Sequence, residues 1–335
     1  MTNPRWIIHI GPPKTGTTSL QERVFARHPG LCFLGKPWWT PEVPYETCVA
    51  LHRAIDSVTM AAPGRFDAPA ARAAIDDWLA HAPQAAPRPD GSLLPRLLSE
   101  ERLMIADAVE IAEIARRLAI LFPGAEIVHV RRDPVAGLKS GYYWHYARNW
   151  TDAGFSGWLT EGMTNPASRL AGLALRYYDL VGIEAAFGAH FPVVRKVDYS
   201  RLRADSTGFL AELLDLPRED FAAFRDLGDT ALNASGNRAV AELHRAAKKA
   251  LQLWNRLPFG KIDEKPEHLG NSALWRALEW PLRRLSWGQA KLEPTEADRL
   301  RILTYFGQRG TEPSVPDDRR TQADANGRQA RTMPE

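Results

Sequence analysis

Residues 5–25 read "RWIIHIGPPKTGTTSLQERVF". The opening run, residues 5–10, is a short string of β-formers that is apolar on both alternations, as a strand buried on both faces requires. It stops at Gly11. From Thr17 the pattern becomes that of an amphipathic helix, and the loop between carries a single lysine, Lys14. A strand, a glycine-containing loop and a helix start together make an anion site. The loop amides and the first-turn N–H groups point outward, and the helix dipole favours negative charge. Thr17, Thr18 and Ser19 add hydroxyls that can donate or cap, and Lys14 adds a mobile positive charge. A plain strand-to-helix turn with an incidental lysine would look the same at this one place, so a second motif has to decide.

The loop is close to a nucleoside-triphosphate P-loop without being one. Gly11 and Gly16 have the G-x-x-x-x-G spacing, but Thr17 stands where that motif has its lysine. The lysine sits inside the loop instead. The second motif is "EIVHVRRDPVAGLKSGYYWHY", residues 126–146. It repeats the strand-turn-helix logic, with Asp133-Pro134 opening the helix. A strand of the Walker B kind ends in an acidic residue that holds magnesium; this one ends in Arg131 and Arg132. Ser140 follows Arg132 by eight residues. An arginine fork with a hydroxyl suits a second phosphate, separate from the first. The competing reading is an ion pair between Arg132 and a neighbour such as Asp133.

The rest of the chain sets the frame. Its 335 residues allow a sizeable core. With 43 Lys+Arg against 40 Asp+Glu, the net charge of +3 suits one anionic ligand site better than a nucleic-acid surface. Two cysteines, Cys32 and Cys48, are too few for a disulfide framework and have no metal-ligand spacing. No leader pattern and no run of about eighteen apolar residues is visible, so the expectation is a cytoplasmic protein without a membrane anchor.

Strands are expected at 5–10, 96–99, 126–131 and 193–197, with a weaker one at 31–34. Helices are expected at 17–28, 46–60, 68–82, 109–121, 134–148, 169–187 and 239–254. Alternation of this kind gives a three-layer α/β fold, a mostly parallel central sheet flanked by helices. One domain over residues 1–310 is expected, less regular after about residue 235, with an exposed loop at 82–92 and a disordered tail at 311–335.

In this order the two motifs resemble those of the sulfotransferases that use 3′-phosphoadenosine 5′-phosphosulfate (PAPS). "GPPKTGTTSLQ" is similar to that family's 5′-phosphosulfate loop, and Arg132 through Ser140 to its 3′-phosphate motif. "HIGPPKTGTTSLQ" and "LLSEE" resemble the bacterial branch in particular. The likeness covers residues 5–25 and 96–146, is looser over "VVRKVDYSRL", and does not extend past about residue 255. It implies a P-loop-like fold, PAPS as sulfuryl donor and no metal. It also implies that Lys14 stabilises the leaving phosphate oxygen, that Thr15, Gly16, Thr17 and Thr18 donate to the 5′-phosphate, and that Arg132 and Ser140 hold the 3′-phosphate.

Sulfuryl transfer also needs a base for the acceptor hydroxyl. Functional groups gather at the carboxyl ends of the strands in open α/β sheets, and Glu100 and Glu101 follow the strand 96–99. By resemblance Glu101 matches the family's base, with Glu100 the runner-up. His9 and His129 lie inside strands and read as hydrogen-bonded core residues, with His9 able to support the loop. The aromatic clusters "KPWWT" and "YYWHYARNW" either pack in the core or line an acceptor pocket, with carbohydrate, lipid and small-molecule acceptors all open. Two alternatives remain at this point: a metal-dependent P-loop kinase, and a nucleotide-binding scaffold without activity.

Overall fold

The computed structural model describes residues 5–29, 31–36, 38–82, 93–104, 109–227, 241–243, 245–246 and 292–309. Five strands, β1 (Trp6–Ile10), β2 (Cys32–Gly35), β3 (Arg96–Ser99), β4 (Glu126–Arg131) and β5 (Val193–Asp198), form one sheet in the order β2-β3-β1-β4-β5. Every neighbouring pair is parallel. All the expected strands are present, including the weak one before Gly35.

The sheet is covered on both faces because its strands are apolar on both alternations. Ile8, Ile10, Leu98 and Ile127 face one layer of helices: α2 (Tyr45–Met60), α3 (Ala68–His81), α4 (Ile111–Leu121), α5 (Pro134–Ala147), α6 (Phe155–Thr164), α7 (Ala171–Arg176) and α8 (Leu180–Gly188). Ile7, Leu97, Val128 and Val130 face the other. There they meet α1 (Thr17–Leu20) and its extension, then α9 (Arg201–Ala204) and α10 (Ser206–Leu214). The arrangement is therefore the three-layer α/β fold expected from the sequence.

Two helices differ from expectation. The segment expected as one α-helix from Thr17 is α-helical only to Leu20 and then widens into a π-helical turn, Gln21–Phe25, closed by Ala26 N–H to the Gln21 carbonyl at 3.0 Å. The stretch 169–187 is two helices, because the Asp179 carboxylate accepts from the Gly182 N–H at 3.0 Å and caps a new start. Helix α6, helices α9 and α10, and a last helix, Glu296–Arg309, lack a clear sequence signal. Residues 241–243 and 245–246 of the expected helix 239–254 are helical. The rest of that helix, residues 83–92, 255–291 and 311–335 lie outside the described residues.

What positions the site is the strand order. With β1 flanked by β3 and β4, the segments that follow these three strands emerge side by side at the carboxyl edge of the sheet. They are the Lys14 loop, the turn bearing Glu101, and Arg132 with the start of α5.

Candidate active site

The Lys14 loop is held in a conformation its sequence would not choose. Lys14 itself has φ 74° and Gly16 has φ 71°. For lysine the left-handed region costs about 1–2 kcal/mol, so the surroundings must impose it. They do so through three carbonyls. The Thr15 hydroxyl donates to the Pro12 carbonyl at 2.8 Å, the Tyr178 hydroxyl donates to the Pro13 carbonyl at 3.1 Å, and the Arg132 guanidinium donates to the Lys14 carbonyl. Tyr178 gets close enough because α5 has a glycine there: a Cβ on Gly137 would lie 2.2 Å from the Tyr178 ring. Gly16 is required for a similar reason, since its Cβ would fall 3.1 Å from Tyr199 as well as being strained.

Below the loop lies a buried polar triad. His9 Nδ1 is 2.7 Å from Ser99 Oγ, and Gln21 Nε2 donates to the Ser99 carbonyl at 2.9 Å and to its hydroxyl at 3.1 Å. The π-helical turn carries Gln21 to that position. Burial, reinforced by His129, pushes His9 down to about 3, so it is neutral and bridges β1 to β3 under the loop. His129 meets the Glu184 carboxylate at 3.1 Å, which also pairs with Arg131 and, at 3.0 Å, with Lys196. Arg131 is thus a structural arginine.

Arg132 is not. Asp133, the expected alternative partner, instead caps α5 by accepting from Ala136 N–H at 2.7 Å. Arg132 binds the loop through the Lys14 carbonyl and lies over the Tyr199 ring, 5.2 Å from its centroid. Ser140 is buried on α5.

The two glutamates separate cleanly. Glu100 is 1% exposed and bound by Arg102, whose Nε donates to it at 3.0 Å; Arg102 also reaches Asp56 at 2.5 Å and His52 at 3.1 Å. Trp38 stacks on His52 at 4.9 Å, while Trp39 is exposed. Glu101, opening a 3-10 turn Glu101–Met104, accepts from the Thr18 hydroxyl at 3.0 Å. The structure brings Glu101, not Glu100, to the loop.

Lys14 is pushed down to about 8 by burial, then by Arg148; Glu101 opposes the shift and Arg132 adds to it. Its ammonium lies 5.8 Å from the Trp144 ring centroid, and the Arg148 guanidinium lies 3.9 Å from the same ring. His145 beside them is held down to about 4 by burial, then by Arg148 and Lys14. Three cations therefore converge around one carboxylate, the electrostatics of a site for a polyanion. Among the described residues, no group of His, Cys, Asp and Glu could hold a metal ion, and no helix is long and apolar enough to cross a membrane.

Comparison with known proteins gives the family. A family model described as "Sulfotransferase family" matches residues 4–223. The chain belongs to that family. The matched span contains the Lys14 loop, Glu101, Arg132, Ser140 and Arg148. Among solved structures, a sulfotransferase from Alicyclobacillus acidocaldarius aligns at 13% identity and TM-score 0.42, covering 65% of this chain and 83% of its own. The sulfotransferase domain of the curacin biosynthetic pathway aligns at 13% identity and TM-score 0.37, covering 92% and 99%. The sulfotransferase domain of the Synechococcus PCC 7002 olefin synthase aligns at 14% and 0.35, covering 94% and 98%. No curated protein matches the chain.

Five participants had little or no signal in the sequence. Tyr178 and Gln21 act through backbone carbonyls that a linear pattern does not connect to them. Trp144 and Arg148 were visible only as part of an aromatic run. Tyr199 lay in the segment of looser resemblance.

Proposed function

We propose that this sulfotransferase-family protein moves a sulfuryl group from PAPS to a hydroxyl or amine acceptor, with Glu101 as general base. The observation that carries the reading is the meeting of Glu101 with the Lys14 loop: the Thr18 hydroxyl holds the carboxylate at 3.0 Å, and Glu101 acts electrostatically on Lys14. The residues fit the donor. A loop whose lysine is destabilised by neighbouring cations takes a 5′-phosphosulfate, and Arg132 with Ser140 takes a 3′-phosphate. PAPS, when bound, supplies the sulfuryl group and departs as 3′-phosphoadenosine 5′-phosphate (PAP).

In this reading the loop amides and Lys14 stabilise charge that develops on the departing phosphate. Thr18 aims the Glu101 carboxylate, which takes the proton of the acceptor as its oxygen or nitrogen bonds to sulfur. Arg132 ties the two anion sites together, because its guanidinium also fixes the Lys14 carbonyl. The acceptor is a small molecule, carbohydrate or lipid.

Calorimetry tests the reading directly. PAP should bind without metal, and ATP should bind weakly with or without magnesium. Binding of ATP only with magnesium, and none of PAP, would replace this reading with a kinase. PAP binding without turnover of any acceptor, in a protein whose Glu101→Gln variant behaves identically, would support an inactive scaffold.

A further inference from the structure

Helix α5 carries a stripe that runs on past the residues assigned to the donor. Ser140, Trp144 and Arg148 follow one another at i, i+4 spacing, so they share a face. Arg132 and Ser140 belong to the end of α5 assigned to the 3′-phosphate. Arg148 lies about 12 Å further along the helix axis than Ser140, from a rise of about 1.5 Å per residue. Its guanidinium lies back over the Trp144 ring, one turn from Ser140. Lys14 and Arg148 lie against the same Trp144 ring, 5.8 and 3.9 Å from its centroid, so Arg148 sits on the lysine side of the site.

The end of α5 is built rather than incidental. Asn149 adopts φ 62° and closes the helix with a Schellman turn: its N–H bonds to the Tyr146 carbonyl and the Trp150 N–H to the His145 carbonyl, both at 3.0 Å. The turn folds Trp150 back, edge-on to Trp144 at 4.7 Å and 5.6 Å from the Arg148 guanidinium. Arg245, 7% exposed, fixes the same end by donating to the Tyr146 carbonyl at 3.0 Å and the Thr151 carbonyl at 2.9 Å. Trp150 is 44% exposed, so this aromatic platform opens outward. An arginine lying flat on an indole is oriented in advance, and its planar fork matches a carboxylate or phosphate.

We propose that Trp144, Arg148 and Trp150 form the acceptor subsite, and that it selects hydroxyl compounds bearing an anionic group of their own. This inference rests on the sulfotransferase reading above. Arg148 holds the acceptor's anion, the outward-facing Trp150 ring bears on its body, and the hydroxyl is left facing Glu101 and Lys14.

The test uses the full chain saturated with PAP and four matched probe pairs: 4-hydroxybenzoate and 4-hydroxybenzamide, glucuronate and glucuronamide, 3-hydroxyoctanoate and its amide, and glucose 6-phosphate and glucose. At least one anionic member should bind about tenfold or more tighter than its neutral twin, the scale of a charge-assisted hydrogen bond. In Arg148→Gln, at saturating PAP, that preference should collapse to within about twofold, with circular dichroism and thermal unfolding matching the parent to report that the variant is folded. Preference confined to the glucose 6-phosphate pair would make the recognised group a phosphate; preference in the other pairs, a carboxylate. No preference in any pair overturns the proposal, as does a folded Arg148→Gln variant that keeps the preference intact. Failure of PAP to bind the parent chain would instead overturn the sulfotransferase reading itself.

Discussion

Lys14 should make the ligand-free protein less stable, and replacing it should show by how much. Burial and the Arg148 and Arg132 charges bring its ammonium from the ordinary lysine value of 10.5 to about 8. At about 1.36 kcal/mol per pH unit, that gap corresponds to about 3 kcal/mol of destabilisation when the lysine is charged. The sign follows from proton binding. Between about pH 8 and 10.5 the unfolded chain holds the lysine proton and the folded chain does not, so stability rises with pH across that window. The destabilisation is therefore complete below pH 8 and fades as the pH approaches 10.5. Lys14→Met keeps most of the stem volume and removes the charge. Urea unfolding at pH 7, followed by tryptophan fluorescence in a buffer free of phosphate and sulfate, should show the variant more stable by about 3 kcal/mol. At pH 9 the advantage should shrink to about 2 kcal/mol. Saturating PAP should narrow the gap, because it binds the folded parent more tightly than the variant. A variant no more stable than the parent at pH 7, or an advantage that does not shrink with pH, would refute the claim that the site holds a frustrated cation awaiting an anion.

Arg132→Ala should weaken PAP binding by about 1.5–3 kcal/mol, the range for a charge-assisted contact, and calorimetry showing unchanged affinity would remove Arg132 from the 3′-phosphate site. Glu101→Gln should leave PAP affinity intact and lower turnover by about 10²–10⁴-fold; near-normal turnover would move the base elsewhere. Gly137→Ala places a Cβ 2.2 Å from the Tyr178 ring. It should cost about 1–3 kcal/mol in thermal or urea unfolding and weaken PAP binding as well, since the displaced Tyr178 no longer secures the Pro13 carbonyl. Tyr178→Phe should lose only about 0.5–1.5 kcal/mol of stability, and equal losses in the two variants would mean that displacing the Tyr178 ring costs no more than losing its hydroxyl.

Much of this was legible from residue order because it is local. A doubly apolar strand, a glycine-bearing loop and a helix start announce an anion site within about twenty residues. The eight residues from Arg132 to Ser140 do the same for a second. The five strands were legible for the same reason, since buried parallel strands need no cross-strand alternation to be read. Local pattern failed where a distant group decides. Nothing in "TTSLQERVF" says that the helix widens at Gln21, because the cause is a buried hydrogen bond to Ser99 on another strand. Nothing in "LLSEE" says which glutamate meets the loop. That choice is made by Arg102 and Asp56, which bind Glu100 and leave Glu101 to Thr18.

The sequence by itself determined the strand-loop-helix units and the candidate residues, because propensity and spacing act along the chain. The tertiary structure alone decided their convergence. The strand order β2-β3-β1-β4-β5 sets the ends of β3, β1 and β4 side by side. Glu101, Lys14 and Arg132, far apart in sequence, therefore share one edge, and Trp144 with Arg148 closes over it. Charge repulsion among Lys14, Arg132 and Arg148, and the left-handed turn forced on Lys14, exist only in that assembled geometry.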